Sequence, residues 1–589
     1  MWDESSTFEV EVSDVSPAVA ALLTSSPVDD GDQRLQLKRW STKAGLTTED
    51  DLEKAVVDIT DRKDPADVSR VARQVVRMMD HESASELVQR RCLRVIRLLS
   101  VLNPDPESDD LHQDISSAVA DVAAEEVVEL MKNNPDDQNL NELGVMALLD
   151  MTFTETGRLK ILQAGGDRAL ANVLNRFNSH EVIRYHALQT LSNLSYGDED
   201  NKNHIREAGG IDAIIMCMSM NRDHLESQVQ AMRAIRNLSF RAAQNQEYAG
   251  SKGAVQAIIR AALLFPEAET AQGEVCAALA NMSMLAIRNR KLIVDLGGVQ
   301  TVLRAMRRFS GEHTFQEWGA SVLGHLAEES EEVREMIGDE EGIDVIVKGM
   351  IQHKQVPKVL EKGSVALKNL LKCDINRDKI YYCGGLDDLL ELLKSVVKNH
   401  RACIAVLESL SAAVKDMPDN RTAVGAYGGA RHMIMALKTH PRNMDVQISG
   451  MAALLALIKD DHSNQRMALT SGLRNVVMIA MKNFPSHTEI RRLGVALIGQ
   501  LGPVNPPGVD IDFVEEEFIR RSLDGQPRNT DVSSLQSGGR RPTREMNMRR
   551  STSMKDTSSI ELSENKGRLL LLNRLRWNRA RGSTRPNRA

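Results

Sequence analysis

Aromatic side chains are scarce in this chain of 589 residues, at 3% Phe, Tyr and Trp. Hydrophobic residues still reach 42%, so a core must be built mainly from Leu, Ile, Val, Ala and Met, as in stacked helices. No stretch approaches the roughly 18 apolar residues that a membrane-spanning helix needs. The first residues, MWDESSTFEVEV, also lack the basic region and apolar run of a signal peptide. Composition therefore predicts a helical protein that is neither secreted nor membrane-spanning.

Cysteine is equally sparse, and no two cysteines form a C-x-x-C pair. The six are Cys92, Cys217, Cys276, Cys373, Cys383 and Cys403. Scattered single cysteines in helical patterns predict reduced thiols and a cytoplasmic location, with nuclear or membrane-peripheral locations as alternatives. Phosphate-binding loops, nucleophile elbows and paired Cys/His metal ligands are absent from the sequence. We therefore expect a protein that is not an enzyme and has no cofactor and no metal.

Charge is distributed unevenly along the chain. Residues 1–33 contain 8 acidic side chains and no Lys or Arg, whereas residues 520–589 contain 17 basic and 6 acidic ones. Pattern and composition together divide the chain into four parts. These are an acidic, disordered arm (1–46), an N-terminal helical cap (47–115), a repeat array (116–502) and a basic, mostly disordered tail rich in Ser and Arg (503–589).

Two columns of residues recur at a nearly constant interval in the array. A Gly opens an apolar segment at Gly166, Gly210, Gly253, Gly298, Gly342, Gly385, Gly429 and Gly472. A mostly polar column precedes each Gly at Asp150, Asn193, Asn237, Asn281, His325, Asn369, Ala413 and Ala456, and continues at Gln500. Both columns step by 43 to 45 residues with only helical patterns between them, which indicates a helical repeat array.

One unit illustrates the predicted architecture. Residues 179–195 form an amphipathic helix pattern, residues 198–207 a short polar helix, and an apolar helix begins at Ile211. Gly209 and Gly210 separate the last two, because Gly accepts the left-handed conformation that ends a helix. Each unit leaves an apolar face open and must stack on its neighbours. Outside the array, helices are predicted at 47–61, 65–79, 86–102 and 512–521, with a loop at 103–113.

A third column lies six residues before the polar column and contains Gly at five of nine positions. Its members are Gly144, Ala187, Ala231, Val275, Gly319, Gly363, Leu407, Gly450 and Gly494. Gly inside a helix costs roughly 1 kcal/mol relative to Ala. A cost repeated five times needs a structural reason, and we expect close backbone approach between stacked helices.

The strings LQTLSNLS, MRAIRNLSF, AALANMSM and ALKNLLK, each followed by an opening such as REAGGIDAII or SKGAVQAII, resemble armadillo repeats. The resemblance covers residues 116–501 and implies an all-α fold, a right-handed α-solenoid of about nine repeats. It also implies that Asn193, Asn237, Asn281 and Asn369 line a concave groove and hydrogen-bond the backbone of an extended peptide. The alternative is that these amides only satisfy backbone groups between repeats.

Two further sets share the helix face of the polar column. Four residues earlier stand Gln189, Arg233, Ala277, Ser321 and Val365, and seven residues earlier stand His186, Gln230, Glu274, Trp318 and Lys362. This largely polar face is typical of a solvated groove. Trp318 is either an exposed binding anchor or a residue wedged between repeats. Importin-alpha-type receptors carry a Trp four residues before the Asn, and its absence here argues against nuclear import.

The candidate groove therefore includes Gln189, Arg233, Trp318 and His325 beside the four asparagines. His325 interrupts the ladder, and Ala413 and Ala456 end it, so the groove is expected between residues 185 and 370. Protonation of His325 is one route to pH-sensitive binding, although a surface His without such a role is the alternative.

The basic tail is the second candidate site. Residues 568–577, RLLLLNRLRW, mix apolar and cationic side chains at helical spacing, and the cations expected to meet an anionic partner are Arg568, Arg574, Arg576, Arg579 and Arg581. Such a segment is able to bind an anionic membrane, nucleic acid or a calmodulin-like protein, or to remain solvated, or to fold back on the acidic body. Ser551 and Thr552 follow Arg549 and Arg550 as possible phosphorylation sites.

Three functions remain open from the sequence. The first is a scaffold or adaptor that binds an extended protein segment in the groove. The second is a peripheral membrane or nucleic-acid tether that acts through the tail. The third, regulation of a small GTPase, rests on analogy with the fold alone. The oligomeric state is open.

Overall fold

A computed structural model of the protein describes residues 65–79, 86–100, 109–197 and 199–501. These residues form 28 α-helices and no strand. Four helices come first, at Pro65–Met79, Glu86–Ser100, Asp109–Asn133 and Gln138–Met151. The remaining helices form eight three-helix repeats, which we number 1 to 8. Together with the two-helix unit at Asp109–Met151, they give the nine repeats that the sequence predicts.

The repeats have closely similar helix lengths. The three helices of repeat 1 are Glu155–Gln163, Gly166–Arg176 and Glu181–Leu194, and those of repeat 2 are Glu199–Glu207, Gly210–Met220 and Leu225–Ser239. Repeat 3 has Ala243–Ser251, Ala254–Leu264 and Glu269–Ser283, and repeat 4 has Ile287–Asp295, Gly298–Arg308 and His313–Leu326. Repeat 5 has Glu331–Asp339, Gly342–Gln352 and Pro357–Leu370, and repeat 6 has Asp374–Tyr382, Gly385–Val396 and His400–Val414. Repeat 7 has Pro418–Ala426, Gly429–Thr439 and Met444–Ile458, and repeat 8 has His462–Thr470, Leu473–Asn483 and Thr488–Gln500.

The described residues divide into two compact units, one that ends at Thr301 and one that begins at Val302. Repeats 1 to 3 lie in the first unit and repeats 5 to 8 in the second. Within each unit the third helix of a repeat packs on the third helix of the next, so these helices form a continuous layer inside the unit. Leu188, Leu191 and Leu194 of repeat 1 are completely buried in this way.

Several helix limits follow the sequence prediction closely, and one does not. The helix predicted at 65–79 is observed as Pro65–Met79, and the helix predicted at 179–195 as Glu181–Leu194. The predicted loop at 103–113 is wrong in its second half, because a helix begins at Asp109. Its acidic start suits the positive end of the helix dipole, a signal that the sequence interpretation missed. The helices predicted at 47–61 and 512–521 lie outside the described residues.

The predicted glycine stop between the first and second helices is confirmed. Gly209 has φ +87° and precedes the helix Gly210–Met220 directly. The same left-handed position is occupied by Gly in seven repeats and by Glu341, with φ +63°, in repeat 5. The following Gly has a different reason, since a Cβ on Gly210 would stand 2.6 Å from Ile205 Cγ2. The predicted Gly column thus combines two neighbouring positions, because Gly253 and Gly472 are left-handed whereas Gly210 is helical.

The first helices hold the repeats together through a recurring dipeptide of Asn followed by Arg, Lys or Gln. Asn289 Nδ2 donates to Met282 O at 2.9 Å and to Gln246 O of the preceding repeat at 2.8 Å. Arg290 Nε donates to Ser283 O at 2.7 Å and Nη2 to Met284 O at 2.8 Å. Each dipeptide therefore supplies donors to carbonyls at the end of a third helix, which lack partners within that helix.

Where the second residue of this dipeptide is Arg, its charge also lies at the negative end of a third-helix dipole, where positive charge is favourable. The same side-chain donors act on third-helix ends at Asn245–Gln246, Asn376–Arg377, Asn420–Arg421 and Asn464–Gln465. In repeat 5, Val333 replaces the Asn, and Leu326 O there accepts the backbone N–H of Glu329 instead.

The third column, with its five glycines, has a different cause from the one expected. A Cβ on Gly319 would stand 2.5 Å from Met306 Cγ, and a Cβ on Gly363 2.6 Å from Met350 Cγ. Met131, Leu437 and Met481 lie over Gly144, Gly450 and Gly494 in the same way. The expectation of close backbone approach is therefore wrong at these five positions. A long side chain thirteen residues earlier, on the preceding helix of the same repeat, fills the space.

This pairing predicts a rescue. Gly319→Val is expected to lower the free energy of unfolding by about 1–2 kcal/mol, because overpacking exceeds the small gain in helix propensity. Adding Met306→Ala should recover much of that loss, since repeat 3 has Val275 and Ala262 at the corresponding positions. Urea denaturation of the single and double variants measures the coupling. Gly499→Val is the control, because nothing lies within 4 Å of a Cβ there. If the loss of unfolding free energy in the double variant equals the sum of the two single losses, the pairing is contradicted.

The cysteines are free thiols, as predicted, and five of the six are buried. Burial raises the pKa of Cys92, Cys217 and Cys276 to about 12. They act as small apolar side chains in the core.

Candidate functional site

The amides of the polar column turn their nitrogens toward the preceding repeat. In the first unit, Asn193 Nδ2 donates to Thr152 Oγ1 at 2.9 Å, Asn237 Nδ2 to Ser192 Oγ at 3.0 Å, and Asn281 Nδ2 to Arg236 O at 2.9 Å. In the second unit, Asn369 Nδ2 donates to Gly324 O at 3.0 Å. Each amide therefore satisfies groups between repeats, which is the alternative role considered for this column.

The other members of the column have no common role. Asp150 forms an ion pair with Arg97 at 2.9 Å, His325 is half-buried, Ala413 is buried, and Gln500 is exposed. Ala456 is half-buried.

We call the helix surface that bears this column, and the positions four and seven residues before it, the column face. The sequence predicted a solvated face, and this is wrong for several positions. Gln230, Glu274, Ala277 and Ser321 are each less than 10% exposed, whereas Gln189 and Arg233 are half-buried. The polar side chains of this face are covered because the third helices pack closely on one another in each unit.

Besides Glu274 Oε2, which forms an ion pair with Arg236, three buried polar atoms on the column face of the first unit find no hydrogen-bond partner within the described part of the chain. They are His186 Nδ1, Gln230 Oε1 and Asn281 Oδ1, one in each of repeats 1 to 3. A buried polar atom without a partner costs about 1–3 kcal/mol, so such atoms normally meet water or a ligand. The two amide oxygens are acceptors with almost no accessible surface, so a ligand reaches them only when the side chains that cover them move aside, and it must then supply N–H or O–H groups.

Charged groups on the same face are layered. Glu274 is 9% exposed and pairs with Arg233 Nε at 3.0 Å and Arg236 Nη1 at 2.9 Å, and both arginine side chains are 28% exposed. Asp150 is 13% exposed beneath Arg97, which is again 28% exposed. The carboxylates form the inner layer and the guanidinium groups the outer one. The face therefore presents positive charge to a ligand.

Burial dominates the ionisation of these groups. It raises the pKa of Asp150 to about 6, against the opposing effect of Arg97. Burial, with a smaller contribution from Arg97, lowers the pKa of His186 to about 4, so this imidazole is neutral at physiological pH. Burial also lowers the pKa of Arg236. Glu274 opposes this shift, and Tyr196 opposes it more weakly.

The second unit carries the remaining candidates on its own column face. Trp318 is half-buried, which falls between the two roles considered for it, and it adjoins Gly319 in the sequence. Val365 is 44% exposed and Lys362 half-buried, so this part of the face is more open than repeats 2 and 3. The basic tail, including Arg568, Arg574, Arg576, Arg579 and Arg581, and the phosphorylation candidates Ser551 and Thr552 lie outside the described residues. Those interpretations, and the four-part domain division, stay predictions.

The sequence interpretation missed a row of aromatic residues three positions after the polar column, where the third helix ends. Phe153 is 52% exposed and Tyr196 64% exposed, and Phe240 is half-buried. Arg158 Cζ stands 5.9 Å from the Tyr196 ring centroid, and Lys202 Nζ and Arg241 Cζ stand 5.4 Å and 5.2 Å from that of Phe240. Three aromatic residues at a spacing of 43 to 44, in a chain with so few, were the available signal.

The described helices are all too short or too polar to cross a bilayer. Among the same residues, no three His, Cys, Asp or Glu side chains come together as metal ligands.

Comparison with known proteins places this architecture. The family model described as LRRK2 ARM repeat matches residues 52–471. No match was found among curated proteins. A solved structure described as "A conserved phosphorylation switch controls the interaction between cadherin and beta-catenin in vitro and in vivo" is 14% identical, with a TM-score of 0.58, over 84% of this chain and 97% of that one.

A crystal structure of an engineered protein is 21% identical with a TM-score of 0.38, over 43% of this chain and 96% of that one. The likeness to the cadherin and beta-catenin structure concerns the fold alone. The family match covers well over half of the chain and agrees with the observed three-helix repeats. The chain therefore belongs to the LRRK2 ARM repeat family, whose repeats are armadillo repeats.

Proposed function

We propose that this protein is a non-catalytic scaffold that binds an extended protein segment on the column face of repeats 1 to 3. The observation that carries this proposal is the row of buried polar atoms without partners, His186 Nδ1, Gln230 Oε1 and Asn281 Oδ1. An extended peptide supplies backbone N–H donors at regular intervals along its length. Among the column asparagines of this unit, Asn281 contributes an acceptor, because its nitrogen already donates to the preceding repeat, whereas Asn237 Oδ1 already accepts from Arg236 Nε at 3.3 Å.

Two glutamines in neighbouring repeats allow a sharp test of this assignment. Gln230 Oε1 has no partner, whereas Gln272 Nε2 donates to Ala262 O at 2.8 Å and Phe265 O at 2.9 Å. Gln230→Met should leave the thermal midpoint unchanged or raised, since it removes an unsatisfied acceptor, and should weaken peptide binding about tenfold, or ~1.4 kcal/mol. Gln272→Met should instead lower the thermal midpoint and leave binding by the folded protein unchanged.

The probe is a peptide selected on the wild-type protein from a displayed library of extended segments, with its Kd measured by fluorescence polarisation. The Asn193/Asn237/Asn281→Ala variant should lose stability as well as affinity, because each amide nitrogen joins two repeats. A selected peptide that binds the Gln230→Met protein as tightly as the wild type would exclude these acceptors as the recognition element.

A further inference from the structure

A second surface adjoins the column face in repeats 1 to 3. Tyr196 is 64% exposed and lies beside Arg158. Arg236 and Arg233 share the buried Glu274, and Phe240 follows the same third helix. We call Arg158, Tyr196, Arg233, Arg236 and Phe240 the aromatic–arginine surface. All five residues belong to the first unit.

The chemistry of this surface defines its ligand. Tyr196 is exposed and Phe240 is half-buried, each just after a third helix. The guanidinium groups of Arg233 and Arg236 lie over Glu274 on the third helix Leu225–Ser239. An extended segment directs alternate side chains to opposite sides. A segment in which acidic and apolar residues alternate would place carboxylates along the arginines and apolar side chains along the aromatic residues.

Residues 8–12 of this chain, FEVEV, have this alternation. Phe8, Val10 and Val12 would lie on one side of an extended strand, with Glu9 and Glu11 on the other. Residues 1–14 contain five acidic side chains and no basic one. The basic tail carries the opposite charge and does not suit an arginine surface.

Chain length permits an intramolecular contact. Some fifty residues separate Asp14 from Pro65, and fully extended they would span about 165 Å. From the helix Pro65–Met79 to repeat 2 there are only a few helix layers, each about 8–10 Å thick. A tethered segment also acts at a high effective concentration, on the order of millimolar.

We propose that residues 2–14 of this chain bind the aromatic–arginine surface and thereby compete with the external segment on the adjoining column face. This inference rests on the proposed function, because the competition requires a ligand on the adjoining column face. The acidic arm then occupies the aromatic–arginine surface of its own chain, and a partner must displace it in order to bind.

The test uses the full chain and a fluorescent peptide with the sequence of residues 1–16. An arm-silenced full chain carries Phe8→Ser, Glu9→Gln and Glu11→Gln, all outside the described helices. The peptide should bind the arm-silenced chain at least tenfold more tightly than the wild-type chain, and more weakly as salt is raised. Equal Kd values for the two chains, or no binding to either, would overturn the proposal.

Two variants of the arm-silenced chain locate the contact. Tyr196→Ala removes an exposed ring, and Arg233→Gln with Arg236→Gln and Glu274→Gln removes the charges without leaving the buried carboxylate unpaired. Each should weaken peptide binding about tenfold, whereas Lys482→Gln, on an exposed helix end of repeat 8, should not. Undiminished binding to both surface variants would overturn the proposal, and unchanged circular dichroism confirms that they fold.

A photo-crosslinker at position 8 of the full chain gives an independent readout. Cross-links should fall within residues 153–240, and cross-links confined to the second unit would contradict the proposal. The selected library peptide separates the two ideas. If it binds and depends on Gln230 while the arm peptide does not bind, this inference fails and the proposed function stands. If the library peptide binds independently of Gln230 while the arm peptide needs Tyr196, the contact between the arm and the aromatic–arginine surface stands, and the proposed function and the competition both fail.

Discussion

Asn289→Ala is expected to lower the free energy of unfolding by about 2–4 kcal/mol. The side chain is 2% exposed, and its Nδ2 donates to Gln246 O and Met282 O. Alanine leaves the Met282 carbonyl at the end of its helix without this donor, which costs about 1–3 kcal/mol, and it removes a second hydrogen bond to Gln246 O, worth about 0.5–1.5 kcal/mol. Gly250 shows how tightly the amide is held, because a Cβ there would collide with Asn289 Oδ1.

Urea denaturation followed by circular dichroism measures this loss. Asn172→Ala is the matched control, since Asn172 is an exposed residue in the second helix of repeat 1. It should change stability by less than about 0.5 kcal/mol. A loss for Asn289→Ala as small as that of the control would show that water replaces the amide, and that the dipeptide does not hold the repeats together.

Asp150→Asn is expected to change how stability depends on pH. Burial raises the pKa of Asp150 to about 6, above its usual value in an unfolded chain. The folded state therefore holds this proton more tightly. The stability that Asp150 contributes is full below pH 4 and is lost as the pH rises through 6. Between pH 4.5 and 7 the loss is about 2 kcal/mol.

The difference in unfolding free energy between wild type and Asp150→Asn isolates this group from the other titrating residues. Asparagine keeps an oxygen that can accept from Arg97, so the contact is retained while the charge is removed. The wild type should lose about 2 kcal/mol relative to the variant over this range. If the difference in unfolding free energy between the two proteins does not depend on pH, Arg97 compensates fully for the burial of Asp150. The same conclusion follows if the wild type becomes more stable than the variant toward neutral pH.

Much of the fold was predictable from the sequence, because each repeat has the same few residue types at the same structural positions. The interval between Gly-Gly pairs follows from helix lengths that scarcely vary, and Gly209 was interpreted correctly because only glycine adopts its φ easily. The Asn–Arg dipeptide of the first helices was equally periodic, at Asn289–Arg290 and Asn420–Arg421 among others. It was overlooked because its partners are carbonyl groups, which have no sequence signature.

The candidate site was predicted only in outline. The column at Asn193, Asn237 and Asn281 was found, but the direction of its amide nitrogens depends on which acceptor the preceding repeat offers. Thr152 Oγ1, Ser192 Oγ and Arg236 O are three different groups, and no pattern in the sequence pairs them with these asparagines. The aromatic row at Phe153, Tyr196 and Phe240 was visible as a spacing but had no assigned role.

By itself the sequence determined an all-helical array of about nine repeats and most of the glycines that separate its helices. These properties are local, since they depend on helix periodicity, glycine conformation and charge within a few residues. Tertiary structure alone decided that Met306 fills the space over Gly319, that Glu274 lies beneath two arginines, and that Gln230 keeps an acceptor without a partner. Those outcomes depend on packing between helices that are far apart in sequence, where a difference of one side-chain volume or one hydrogen bond decides what a surface offers to a ligand.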